Sequence, residues 1–438
     1  MSASATTAFL ESLLAGHSAA SAGPLAWLNE LRGEALERAN ALTLPTTRDE
    51  DWRFTDLSAL YRLAFRSAGA AAIPTVVAIE SFAVPEVAAR LVFIDGRFAP
   101  GLSSTRAKAG IEVRDLASAL AADDGFLRGR LAQLADHRDD AFRAINTAGL
   151  AEGAVVHARQ NVAADGPIQL LFLSTQPEVA THPRVLIVAE DGSDVTVLEE
   201  YAGLADGAYC VNGVTEVAVG AAARVRHVRV QREAAAAFHV ATSAVRVERD
   251  GSYASVSVAL GARISRHNLN VVQAGEGATI ALDGLALIHE RQLADTHSFV
   301  DHARPHGTSR QLHKCVVGGQ AHAVFNGRIL VREGAQLTNS AQQSRNLLLS
   351  RRAHVDTKPQ LEIFADDVKC AHGAAIGQLE ADELFYLRTR GLSETAARNL
   401  LTYGFAAEIV DRIPIASVAA SLRKAVLEQT QAELGPAA

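Results

Sequence analysis

Between about Val155 and His372 the chain is a succession of short apolar and β-branched runs, each closed by a turn that contains glycine. Arg184–Ala189, Asp194–Leu198, Ala223–Val230, Ala254–Leu260 and Arg328–Arg332 are such runs, with Asp191-Gly-Ser, Asp250-Gly-Ser, Gly275-Glu-Gly, Gly318-Gly and Glu333-Gly-Ala between them. Alternation in Arg224–Val230 predicts a half-buried strand with valines on one face and arginines on the other. No helical pattern of ten or more residues interrupts the later part of this region. The expectation is an all-β body with helix-rich ends. Turn glycines and their equivalents fall at Gly318, Gly334 and Arg351, roughly every sixteen residues, which suggests a parallel β-helix whose coils bury one another's apolar faces. A sandwich of hairpins is the competing fold, but only Asp191-Gly192, Asp250-Gly251 and Asp283-Gly284 offer the turn it needs.

With 438 residues, two or three structural units are expected. They are placed at 1–150 (mostly helical), 151–375 (the β body) and 376–438 (helical). A formal charge of -7 argues against a nucleic-acid binder working through a basic field. The arginines scattered through the strands read as a solvated face. Cys210, Cys315 and Cys370 cannot form a disulfide framework and fit a reducing compartment. The first residues lack a basic segment and soon reach Glu11, a poor signal peptide, and no run of about 18 apolar residues suggests a membrane span. A cytoplasmic protein without a membrane or nucleic-acid partner is expected.

Thr6–Asn40 reads as helical, with Leu10, Leu13 and Leu14 on one face and Pro24 opening a second helix. In Pro45–Leu57, Trp52 and Phe54 are expected to pin an acidic segment to the body. Leu91–Phe98 reads as strand, turn, strand, and Val113–Asn146 as helix. At the other end Leu379–Arg390 is one helix. Ser393 caps another, in which Ala397, Leu401, Phe405 and Ile409 recur every four residues, and a last helix carries Val418, Leu422 and Val426.

Motifs for ATP hydrolysis, dinucleotide binding, serine hydrolysis and zinc proteolysis are absent. One local cluster is different: Asp366-Asp-Val-Lys-Cys-Ala-His-Gly-Ala374. In a strand, Cys370 and His372 share a face and offer a thiolate and an imidazole to iron or zinc, a two-ligand lip that needs completion from elsewhere. Lys369 is a candidate for keeping the thiol ionised. The bland alternative is a strand-end cysteine beside a solvated histidine. A second concentration comprises His289, His297, His302, His306, His313 and His322, with Cys315 among them; most read as surface or core histidines.

Ser298–His302, Gln336-Leu-Thr, Asn346–Ser350, Val355–Ile363, Ala365–Ala374 and Leu384–Gly391 occur in an order and spacing that resemble the SufB/SufD family of iron–sulfur cluster assembly proteins, and Arg48–Thr55 resembles the N-terminal segment of its SufD branch. The resemblance covers roughly the last third of the chain. It implies a right-handed parallel β-helix between helical ends, and Cys370 and His372 as the SufD-type ligand positions for a transient iron–sulfur cluster at an interface with SufB. It further implies a SufB-like paralogue and a SufC-like ABC ATPase as partners, a homodimer when the chain is isolated, and no ATP site in this chain. Cys210 and Cys315 match no ligand of the family. The leading expectation is therefore a non-catalytic scaffold subunit. The alternatives are an exported-type polysaccharide-active β-helix enzyme, which 5% aromatic content disfavours, and a metalloenzyme using the His289–His322 cluster.

Overall fold

The computed structural model describes residues 3–15, 24–68 and 79–434. Its centre is a parallel β-solenoid of about eight turns, each turn laying one strand on each of two sheets. In the first sheet, Arg224 lies beside Asp194 on one side and Ser252 on the other. Register partners on successive coils are separated by 26 residues at the tightest (Phe238 and Ile264) and by 32 at the widest (His322 and His354). The sixteen-residue spacing of turns is therefore half a coil, because each coil turns once after each of its two strands.

Several turns place a residue in the left-handed region: Ala222 at φ 54°, Asp250 at 56°, Glu290 at 54° and His306 at 59°. Asp250 and His306 are types that favour it, whereas Ala222 and Glu290 are not.

Side chains inside the solenoid stack in columns. One column of register partners runs Val195, Val225, Tyr253, Ile280, Ser309, Ser340 and Cys370. Its early members belong to the main apolar core and its later ones are polar. Outside the first sheet a second apolar layer forms, where Leu198, Val228, Val230, Val256, Val258 and Leu285 meet Ala406, Ile409, Val410, Leu422 and Val426 of the helices Glu394–Val410 and Ala416–Leu434.

The expected alternation in Arg224–Val230 is corrected by this arrangement. Val225 faces the interior, whereas Val228 and Val230 face outward under the C-terminal helices. A strand covered on both faces carries apolar residues of either parity. The arginines likewise form no uniformly solvated face: Arg184, Arg229 and Arg266 are among the largest fully buried side chains.

The N-terminal part contributes helices Ala3–Leu14 and Ala26–Ala41 and the hairpin Ala89–Phe98, whose Asp95-Gly96 turn has both residues at positive φ. Strands Ala89–Ile94 and Ile111–Asp115 add to the first and second sheets. The continuous helix expected over Val113–Asn146 is instead two short ones, Leu116–Ala122 and Ala141–Ala148. Asp123 ends the first in the left-handed conformation. The intervening backbone is held by Glu216, whose carboxylate accepts from the amides of Ala132 and Leu134 at 2.8 and 2.7 Å. A carboxylate supplied from the solenoid satisfies amides that a helix would have satisfied internally.

Trp52 is buried as expected, with the Arg266 guanidinium 4.3 Å from its ring, but Phe54 is exposed. Thr55 is the second anchor, donating its hydroxyl to buried Asp295. In the C-terminal region Ser393 caps its helix by accepting from the Ala396 amide. Of the residues repeating every four positions, Ala397 and Ile409 are buried, while Leu401 and Phe405 are half-buried. A spacing of four drifts about 40° per step around a helix of 3.6 residues per turn, so the buried stripe passes to Thr402, Ala406 and Val410. No helix among the described residues is long and apolar enough to cross a membrane.

Candidate functional site

The two sheets end side by side with uncovered strands, Lys369–Gly377 in the first and His354–Ile363 in the second. A central strand has neighbours on both sides, but these two have one each. Their free edges and the interior of the last coil are open at this end of the solenoid. Half of the ten large apolar side chains exposed among the described residues lie here: Ile363, Phe364, Ile376, Phe385 and Tyr386. An unpaired ten-residue edge flanked by such residues is suited to receive another polypeptide.

Cys370 and His372 stand on the first of these strands. Cys370 is half-buried and packs against the interior core, so the i, i+2 spacing turns His372 inward as well. Because no coil stacks above it, His372 is exposed. The pair forms a lip at the mouth of the solenoid. Lys369 has the opposite parity and faces away from the thiol. Partial burial raises the Cys370 thiol above its usual range, and a backbone hydrogen bond from Ser340 opposes this in smaller measure. The expected ionising help from Lys369 is thus absent, and a metal ion would itself have to displace the proton.

Beneath Cys370 a buried polar line runs into the molecule. Gln273 Oε1 accepts from His302 Nδ1 at 3.0 Å, leaving Nε2 to accept from the Ser309 hydroxyl at 2.9 Å. Ser309 in turn meets Ser340 at 2.6 Å, and Ser340 is the register partner of Cys370. Beneath His372 the partner is Gln342. Its amide nitrogen donates to Gln311 at 2.8 Å, but its buried Oε1 has no hydrogen-bond partner. That orphaned acceptor fits an imidazole N–H arriving from above.

The histidine concentration is dispersed by the fold. His302 and His313 are buried in the interior, and burial pushes both down to about 4; His313 stacks on Phe325 at 4.7 Å. His297 contacts Asp295 on the outer face of the second sheet. Cys315 is buried 3.6 Å from His313 and Cys210 lies in the core between the solenoid and the N-terminal helices, and burial pushes each thiol up to about 12.

A cavity of about 800 Å³ separates the N-terminal segment from the outer face of the second sheet. Among its charged groups, Arg266 is engaged by Asp295 and Glu50 by Lys358.

Two family models together match most of the chain. Residues 172–405 match the family described as SUF system FeS cluster assembly, SufBD core domain, and residues 5–170 match the SufBD protein N-terminal region. The chain belongs to the SufB/SufD family. It is 42% identical over 418 residues to the iron-sulfur cluster assembly SufBD family protein slr0076 of Synechocystis, spanning 91% of this chain and 90% of that protein. It is similar at 32% identity over 381 residues to the iron-sulfur cluster assembly protein SufD of Escherichia coli, spanning 84% and 85%. Protein ABCI7, chloroplastic, of Arabidopsis thaliana is 37% identical over 284 residues. In this SufB/SufD chain the solenoid was legible from sequence, as was the shared strand face of Cys370 and His372. The open edge was not, because an edge is defined by a missing neighbour and leaves no local pattern.

Proposed function

We propose that this chain is a SufD-type, non-catalytic scaffold subunit that builds iron–sulfur clusters together with a SufB-like paralogue. The observation that carries the reading is a Cys370–His372 lip set in an uncovered edge strand. Two donors leave iron under-coordinated, and the free edge offers the place where a second chain would bring the remaining ligands. In this reading the cluster is cargo, held transiently between the chains. A SufC-like ABC ATPase docks on the exposed helix Ala381–Thr389, none of whose residues is buried. Its ATP-driven movement opens the shared site. Three unpaired cysteines suit a reducing cytoplasm.

The test is reconstitution of the co-expressed complex, read as cluster absorbance beside circular dichroism. His372→Ala should lower cluster yield severalfold, since the imidazole has no neighbour to replace it. Cys370→Ser should have an equal or smaller effect, because a partner's sulfur can substitute. Ile376→Asp should weaken pairing itself by placing a charge on the apolar edge. Normal cluster yield from the His372→Ala complex would reduce the pair to a structural cysteine beside a solvated histidine.

A further inference from the structure

On the outer face of the second sheet, at the same open end, three potential ligands converge. Val355 faces inward, so His354 and Asp356 both point outward from the edge strand. His322 is the register partner of His354 on the neighbouring strand. His322 Nε2 lies 2.7 Å from Asp356 Oδ2, and His354 Nε2 lies 3.2 Å from the same oxygen. The two rings are 5.0 Å apart. All three ligand atoms fall within 4.8 Å of one another, and no other three His, Cys, Asp or Glu side chains among the described residues do so.

We propose that His322, His354 and Asp356 form a binding site for one borderline divalent transition-metal ion, Fe²⁺ or Zn²⁺, separate from the Cys370–His372 lip. Two imidazoles and one carboxylate are the donor set these ions favour. A single carboxylate is too few for Ca²⁺, two imidazole nitrogens disfavour the oxygen-seeking Mg²⁺, and the lack of sulfur disfavours Cu⁺. Bonds of about 2.0–2.2 Å in a tetrahedral site set ligand atoms roughly 3.3–3.6 Å apart. The present separations need only small side-chain rotations to reach that.

Strand pairing fixes the backbone beneath all three residues, and two of the side chains keep a quarter of their surface in solvent. Lys358, next along this face, is drawn off to Glu50 at 2.7 Å and does not compete for Asp356. The remaining coordination positions open to water. Asp356 Oδ2 now makes a hydrogen bond with His322 and an ion-pair contact with His354, and a bound ion would sit among the three with the carboxylate and both imidazoles as its ligands.

The test uses the full-length chain, stripped with a chelator, in wild-type form and in a Cys370→Ser/His372→Ala background. Co²⁺ is the spectroscopic probe, and Zn²⁺ and Fe²⁺ follow by equilibrium dialysis. Both proteins should bind one ion per chain, with ligand-field bands and no thiolate-to-cobalt charge transfer in the double variant. His322→Gln and Asp356→Asn should each weaken binding by roughly tenfold or more, since even outer-shell substitutions cost that much. Both variants should keep the wild-type circular dichroism. Saturating Zn²⁺ should raise the melting temperature of wild type but not of His322→Gln. Failure to bind, binding unaffected by His322→Gln and Asp356→Asn, or binding abolished by the Cys370→Ser/His372→Ala change alone would each overturn the proposal. The last outcome would leave the lip as the metal site and so separates the two readings.

Discussion

Arg184 and Glu216 are both fully buried and paired at 2.6 Å, and Arg184 also donates to Asn146 and Thr147 at the end of the short helix Ala141–Ala148. Glu216 reaches the other way, to the amides of Ala132 and Leu134. The pair therefore couples three separate segments through one charge-assisted cluster. Removing one partner leaves the other charge buried without compensation, at a cost of about 3–5 kcal/mol. Arg184→Ala should lose stability of that order in denaturant unfolding, while Arg138→Ala, whose side chain is exposed, should leave the unfolding curve unchanged. A loss below about 1 kcal/mol in Arg184→Ala would show that water reaches Glu216. None of this was legible in the sequence, where Arg184 and Glu216 are 32 residues apart and look like ordinary surface charges. That separation is close to one coil, which places them on adjacent strands. The Cys370–His372 pair could be found because its two members need only a strand to share a face. His322, His354 and Asp356 needed the coil length as well.

The C-terminal helices show what an element does beyond its own pattern. Helices Glu394–Val410 and Ala416–Leu434 cover Val228, Val258 and Leu285 on the outer face of the first sheet. Deleting everything after Gly391 would expose that face to water, so loss of ATPase binding in such a truncation would report unfolding as readily as lost contact. Phe385 and Tyr386 on the preceding helix are 69% and 57% exposed. The variant Phe385→Asp/Tyr386→Asp should keep its melting temperature and lose the SufC-like ATPase in a pull-down. Retained binding with intact folding would remove this helix from the docking surface. The apolar spacing of the last helix was readable because Val418, Leu422 and Val426 are all buried, whereas in the helix before it the buried stripe drifts off the every-fourth positions. The segment Val113–Asn146 misled because its alanines favour helix, while Asp123 and the Glu216 carboxylate terminate one from outside the local pattern.

Across the whole molecule, stacked coils put titratable side chains in an interior that water does not reach. Burial lowers His302 and His313 to about 4, and His239 and His267 shift in the same direction for the same first reason. An unfolded histidine titrates near 6.5. Below that pH the unfolded chain binds protons that the folded chain refuses, so acid favours unfolding, and the stability present above about 6.5 is lost progressively down to about 4. Glu199, lowered to about 2 with His227 as its partner, adds the same sign at lower pH, below the unfolded carboxylate range. Glu152 and Asp283, raised by burial, run the other way and are outnumbered. Each neutral histidine contributes a slope of up to about 1.4 kcal/mol per pH unit within its window. Unfolding free energy from urea titrations at pH 7.5, 6.5, 5.5 and 4.5 should thus be flat at first and then fall steeply. His302→Gln keeps a donor for Gln273 and an acceptor for Ser309 but cannot titrate. It should flatten the fall between about pH 6 and 4.5 by roughly one histidine's slope. An unchanged slope in that variant would mean that His302 is already protonated in the folded interior, and that the polar line beneath Cys370 carries a charge.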